Sequence, residues 1–282
     1  MGARCKRGGA LGEKAFQRPE VTPTKGHFSR AWEAGRKRAT ALCSFIASTN
    51  SQRNPVKTRD RILLTARDLF NAVGERNVAA SDIAADMEIS PGNLYYHFKG
   101  KDSIHLSLFA TLQREMIAIL GPAVQSPGLF DEQQEESAVE RSWLFFSVLL
   151  ELMIDYQYLY ENPGSLMQRY PEIDRGFRRL IRLKLSACEV VAAELVAREP
   201  GSGGQAPDFG DLANTMNLAL SYWLPYSRIL YPKDDRILTT HRGVLRILST
   251  CAPYMETEQQ LFMEECEQLY AAMLASGEYA EV

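Results

Sequence analysis

Residues 90–101 read Ser-Pro-Gly-Asn-Leu-Tyr-Tyr-His-Phe-Lys-Gly-Lys, which crowds an amide, two phenols, an imidazole and two ammonium groups into one short segment. These groups are suited to recognising a surface rather than to making or breaking bonds. The Asn93 amide can pair with the donor and acceptor edge of adenine. Tyr95 and Tyr96 each offer a ring to a thymine methyl and a hydroxyl to a phosphate, and Gly92 allows a backbone to come close. Lys99 and Lys101 are point charges for a phosphate backbone. Any one of these residues alone has a plainer use: a lone His97 is more often a packing or capping histidine, and Tyr95 and Tyr96 are ordinary surface or core aromatics. Together they point to double-stranded DNA.

Such a face needs a rigid element beneath it. Ser90 is a natural N-cap and Pro91 suits the first helical position, where a missing N–H costs nothing. Pro91, Leu94 and Phe98 then fall at i, i+3 and i+7, a stripe that can pack on neighbouring helices while Gly92, Asn93, Tyr95, Tyr96 and His97 face outward. Upstream, Ile62, Ala66, Leu69, Phe70 and Val73 form one stripe of an amphipathic helix from Thr58 that Gly74 closes. A second short helix spans about Ser81 to Met87, with Ile83 and Ala84 inward.

From Thr58 to Phe109, with its Leu94-Tyr95-x-His97-Phe98-x-x-Lys101 ending, the chain resembles the DNA-binding domain of the TetR family. The stretch Ser90–Phe98 is also similar to that of PhaD-type regulators of polyhydroxyalkanoate-granule genes. The resemblance implies that Pro91, Gly92, Asn93 and Tyr96 face bases, and that Tyr95, His97 and Lys101 touch the backbone. Two positions depart from the family pattern. Ala79 stands where a Ser or Thr usually caps the second helix, unless Ser81 starts that helix later. Glu88 stands where the turn usually has Gly, and a left-handed backbone there costs about 1 to 2 kcal/mol.

The remaining sequence suggests a second, all-helical unit. The chain has 282 residues, 45% of them hydrophobic, and a formal charge of -3. That charge hides an asymmetry, because residues 1–53 carry eleven Lys or Arg against Glu13, Glu20 and Glu33, leaving -11 for the rest. Residues 1–55 are expected to be a disordered basic extension, or to lie upstream of a native start near Val56, since a folded pattern begins abruptly at Lys57. Helical patterns follow: one to Leu120, stopped by Gly121-Pro122; an almost wholly apolar one over 140–160; a short turn from Pro163; and long helices over 171–198, 208–231, 236–254 and 257–274. Residues 200–204, Pro-Gly-Ser-Gly-Gly, read as a linker, since no strand precedes them and no Lys-Ser or Lys-Thr follows.

The enzyme classes find little support. The four histidines, His27, His97, His105 and His241, belong to no recognisable catalytic set, and there is no His-Glu-x-x-His, G-x-S-x-G, Walker loop or dinucleotide fingerprint. Cys5, Cys43, Cys188, Cys251 and Cys266 form no Cys-x-x-Cys pair and have no histidine at zinc-ligand spacing, which argues against a disulfide framework, a metal site or a cofactor. With no run of 18 apolar residues and no charged-then-apolar start, a soluble cytoplasmic protein is expected.

The expected architecture is therefore all-α. A three-helix DNA-binding domain with a helix-turn-helix occupies 56–104, and a helical effector-binding and dimerisation bundle occupies 105–282. The family resemblance implies a homodimer held by helices near 208–254, a pseudo-palindromic operator with half-sites about 34 Å apart, and a small hydrophobic effector. Trp143, Tyr156, Met167, Tyr170, Trp223 and Tyr226 are the expected pocket lining, although each also reads as plain core. The expected function is that of a repressor released by its effector. The alternatives are an acyl-CoA-responsive activator of the PhaD type and a protein-binding adaptor that no longer binds DNA.

Overall fold

A computed structural model describes residues 57–125, 137–196, 209–255 and 259–276. The N-terminal extension expected over 1–55 and the linker expected over 200–204 lie outside the described residues. All regular structure among the described residues is helical. Helix α1 (Thr58–Val73) leads through a 3-10 turn (Glu75–Asn77) to α2 (Ala80–Asp86) and α3 (Pro91–His97). Helix α4 (Lys101–Gln125) then runs into a bundle of α5 (Ala138–Asp155), α6 (Gln157–Glu161), α7 (Pro163–Arg169), α8 (Pro171–Val196), α9 (Gly210–Leu230), α10 (Arg236–Ser249) and α11 (Gln259–Ser276). Helix α8 packs against α4 on one side and α9 on the other, while α10 lies against α5, α9 and α11. No described helix is long and apolar enough to cross a membrane.

Local chemistry fixes the first three helices. Ile62, Ala66 and Phe70 of α1 are fully buried, and the Gly74 N–H closes the helix on the Phe70 carbonyl at 3.0 Å. Val73 lies beyond the packed part of the stripe and is exposed. Helix α2 starts at Ala80, ahead of Ser81, so Ala79 is the N-cap and contributes no side-chain acceptor. The reciprocal half of a capping box remains, with the Asp82 carboxylate accepting the Ala79 N–H at 2.8 Å.

Glu88 adopts φ of 55°, as the departure from the family pattern suggested. The Glu88 N–H returns to the Ala85 carbonyl and the Ile89 N–H to the Ala84 carbonyl, both at 3.0 Å, a Schellman closure with a non-glycine residue at its left-handed position. Replacing Glu88 with Gly removes steric strain of about 1 to 2 kcal/mol, against an entropic penalty of about 0.4 to 1 kcal/mol in the unfolded chain. Glu88→Gly is expected to raise the urea midpoint by an amount equivalent to about 0.5 to 1 kcal/mol. A lowered midpoint would show that the strain is absorbed elsewhere.

Two helix ends differ from the sequence expectation. Helix α4 continues through Pro122 to Gln125, because Leu120 and Ala123 on either side of the proline are buried and hold the last turn against the bundle. The apolar run over 140–160 breaks at Tyr156 into α5 and α6. Asn71 of α1 explains that break: its Nδ2 donates to the Asp155 carbonyl at 2.9 Å and its Oδ1 accepts the Tyr158 N–H at 3.2 Å.

Candidate nucleic-acid interface

Helix α3 is the second helix of a helix-turn-helix, held by its cap and by two buried side chains. The Ser90 hydroxyl accepts the Asn93 N–H at 3.2 Å, Leu94 and Phe98 are buried in the core, and α3 packs against α2. The Arg59 guanidinium lies 4.7 Å from the centre of the Phe98 ring and covers it. The outer face then carries Gly92, Asn93, Tyr95 and Tyr96, all exposed, with Tyr96 at 84%. His97 is half-buried, its ring edge-on to Tyr96 at 5.1 Å. Pro91 is exposed instead of packed, because α3 leaves the core at its first turn. The helix thus brings Pro91, Gly92, Asn93, Tyr95, Tyr96 and His97 into one outward-facing set whose hydrogen-bonding groups are available.

Lys101 has a different position from the one sequence suggested. Its ammonium donates to the carbonyls of Glu75 and Val78, the latter at 2.9 Å, and lies 3.5 Å from the Glu75 carboxylate. It locks the turn between α1 and α2 and does not stand free toward a phosphate. Lys99, exposed two residues earlier, is the cation that faces outward.

Glu75 is the hub between the reading head and the bundle. Besides Lys101 it has Arg169 of α7 at 3.3 Å and His105 Nε2 of α4 at 3.6 Å. The His105 ring is fully buried, stacked on Phe70 at 4.4 Å, and burial holds its pKa down at about 4, so it is neutral at pH 7. Next to it the Tyr170 hydroxyl donates to Asp102 at 2.6 Å. Together with the Asn71 contacts, these bonds tie α1, α4, α6 and α7 into one polar seam. Sequence reasoning missed Asn71, Glu75 and Arg169 because their partners lie from 26 to 94 residues away, and no local pattern encodes such distances.

The six expected pocket residues do not share one place. Tyr170 belongs to the seam just described. Tyr156 joins it, its ring 5.7 Å from the Arg67 guanidinium and its hydroxyl 3.5 Å from Glu115. Trp143 and Trp223 both pack on α10, Trp143 donating to His241 Nδ1 at 3.2 Å and Trp223 to the Thr239 carbonyl at 2.8 Å. Met167 packs on the core from α7, partly buried. Tyr226 is half exposed on the outer face of α9, so it cannot line a space inside the subunit. Helix α9 is apolar on both faces, and sequence alone does not say which one turns inward.

Comparison with known proteins agrees with this geometry. The family model described as bacterial regulatory proteins of the tetR family matches residues 62–108, which take in most of α1, all of α2 and α3 and the start of α4. A second model, described as TetR bacterial transcriptional repressor, matches residues 127–261. The two together take in more than half of the chain. The chain belongs to the TetR family. A TetR-family transcriptional regulator from Marinobacter aquaeolei VT8 superimposes with a TM-score of 0.60 at 24% identity, over 77% of this chain and 98% of that one, which shows a shared fold. The HTH-type transcriptional regulator UidR of Escherichia coli strain K12 is 33% identical over 69 residues, 24% of this chain. The matched segment spans about a third (35%) of UidR's length. TetR-family chains are DNA-binding regulators and not enzymes.

Proposed function

We propose that this TetR-family chain is a cytoplasmic transcriptional repressor that binds a pseudo-palindromic operator as a homodimer and releases it when a small apolar effector enters the helical bundle. The observation that carries the reading is the outer face of α3, where Asn93, Tyr95 and Tyr96 stand exposed on a helix anchored by Leu94 and Phe98. Repression is favoured over acyl-CoA-responsive activation by the repressor description of the model that matches residues 127–261. We keep 56–104 as the head and 105 onward as the bundle, with α4 running from one into the other.

The dimer face we assign to α9. Leu218, Tyr222, Tyr226 and Ile229 recur at i, i+4, i+8 and i+11 on its outer side, and Ile229 is 79% exposed. An apolar stripe of this length is out of place on a monomer's surface and matches a two-fold, self-complementary contact.

The decisive test is base readout. Asn93→Ala is expected to cost about 1 to 3 kcal/mol of discrimination at one position of each half-site. Lys99→Ala is expected to weaken all sequences alike and to lower the salt slope by about 1. Competition binding against a systematic operator library checks both, and equal losses on operator and random DNA for Asn93→Ala would remove the base-reading role.

A further inference from the structure

Helix α8 buries one stripe, Ile173, Phe177, Leu180, Lys184, Cys188, Val191 and Leu195, and every member except Lys184 is apolar or a thiol. Lys184 is only 3% exposed. Its Nζ donates to the Ser221 hydroxyl of α9 at 2.6 Å, the Ser221 hydroxyl donates to Asn217 Oδ1 at 3.2 Å, and Asn217 Nδ2 donates back to the Ile181 carbonyl at 3.2 Å. This relay fixes where the ammonium stands, but it supplies dipoles and no charge. The Tyr160 ring of α6 lies 5.8 Å from Nζ, at the outer limit of a cation–π contact. Lys184 makes no ion pair among the described residues, and the neighbouring Cys188 thiol, its pKa pushed up to about 12 by burial, is neutral at pH 7.

A buried ammonium without an anion is strongly disfavoured, so its retention on a core stripe calls for a partner. Burial holds its pKa down at about 8, which leaves it mostly charged at pH 7. The surroundings are otherwise apolar. Tyr160 sits edge-on to Phe177 at 5.8 Å, and Leu180 and Cys188, one turn either side of Lys184 on α8, are buried. We infer that Lys184 is the anion seat of the effector site, and that the effector is an apolar molecule bearing a single carboxylate, which pairs with the Lys184 ammonium between α8 and α9. This inference rests on the effector-released repressor reading and narrows it to a chemical class.

The test uses the full chain and calorimetric titration with straight-chain carboxylates of four to sixteen carbons, benzoate and phenylacetate, each paired with its methyl ester. At least one carboxylate is expected to bind saturably, and at least ten-fold more tightly than its ester. Lys184→Met is expected to fold, to lose that preference and to keep the affinity for the ester, while Lys184→Arg keeps the preference. In the wild-type chain carboxylate affinity is expected to fall more than ten-fold between pH 7 and pH 9.5 as the ammonium deprotonates, and Lys184→Met is expected to show no such fall. The inference is overturned if no carboxylate in the panel binds, if esters bind as well as acids, or if Lys184→Met binds the carboxylate as the wild type does. Operator affinity measured without any carboxylate keeps the two readings apart: its absence defeats the repressor, and its presence with no carboxylate binding defeats only the anion seat.

Discussion

With aspartate at both Tyr222 and Ile229, the chain is expected to sediment as a monomer and to bind its operator at least a hundred-fold more weakly. Both side chains are more than half exposed within the subunit, so charging them should leave the monomer's core and its circular dichroism unchanged. In a symmetric pair each stripe meets its own copy, so two substitutions place four carboxylates in one apolar contact. Desolvating charges without partners costs several kcal/mol each, far beyond what the contact can offset. A dimer that has bound one half-site presents its second head at a high effective concentration, and losing that linkage removes about 10² to 10⁴ in affinity. The salt slope should also fall to about half, because one head neutralises half as many phosphates. Sedimentation velocity alongside operator titration decides the matter. A variant that stays dimeric would move the interface away from α9, and a monomer with undiminished affinity would remove the need for two heads.

How much of this was legible in the sequence depended on the range of the information. The reading helix was legible because its determinants are local: Ser90 and Pro91 start it, and Leu94 and Phe98 anchor it within two turns. The left-handed Glu88 was legible only through the family resemblance, because it stands where the turn usually has Gly. Tyr226 and Trp223, three residues apart on a helix apolar all round, could not be sorted into outside and inside, because periodicity carries no information when both faces are apolar. Lys101 looked like a phosphate contact, since its three acceptors come from Glu75 and Val78 across a turn whose closure the sequence does not show. Lys184 was passed over altogether: within the heptad-like stripe of α8 its long stem reads as solvent-bound, and only the packing of α9 and Tyr160 over it shows that the charge is covered.

The same long-range packing sets the second large expectation, that Gly176→Ala weakens the operator complex about ten-fold or more by pushing α4 away from α8. Gly176 faces α4 at a point with no room for a methyl group: an added Cβ would stand 2.2 Å from Phe109 Cε1, 2.6 Å from Phe109 Cζ and 3.3 Å from Gln113 Nε2. The Phe109 ring is buried against Phe177 at 5.1 Å and cannot swing aside. The helix itself must therefore yield, at a cost typical of overpacked cores, about 1 to 3 kcal/mol. Phe109 lies roughly two turns, about 12 Å, along α4 from Lys101, so a shift at Gly176 is delivered to the residue that locks the reading head through Glu75. An effector can loosen the operator only by preferring a bundle in which the heads are spaced differently, and the wedge imposes such a bundle without a ligand. Gly164→Ala is the matched control, because an added Cβ there meets nothing within 4 Å. Shortening the opposing side chain should restore the fit, so Gly176→Ala with Phe109→Leu is expected to recover most of the operator affinity, a coupling that independent sites do not show. The measurements are operator affinity per folded dimer and thermal midpoint for both single variants and the double. If Gly176→Ala lowers the midpoint while operator affinity per folded dimer stays at the wild-type value, the α4–α8 contact supports the fold without positioning the reading heads.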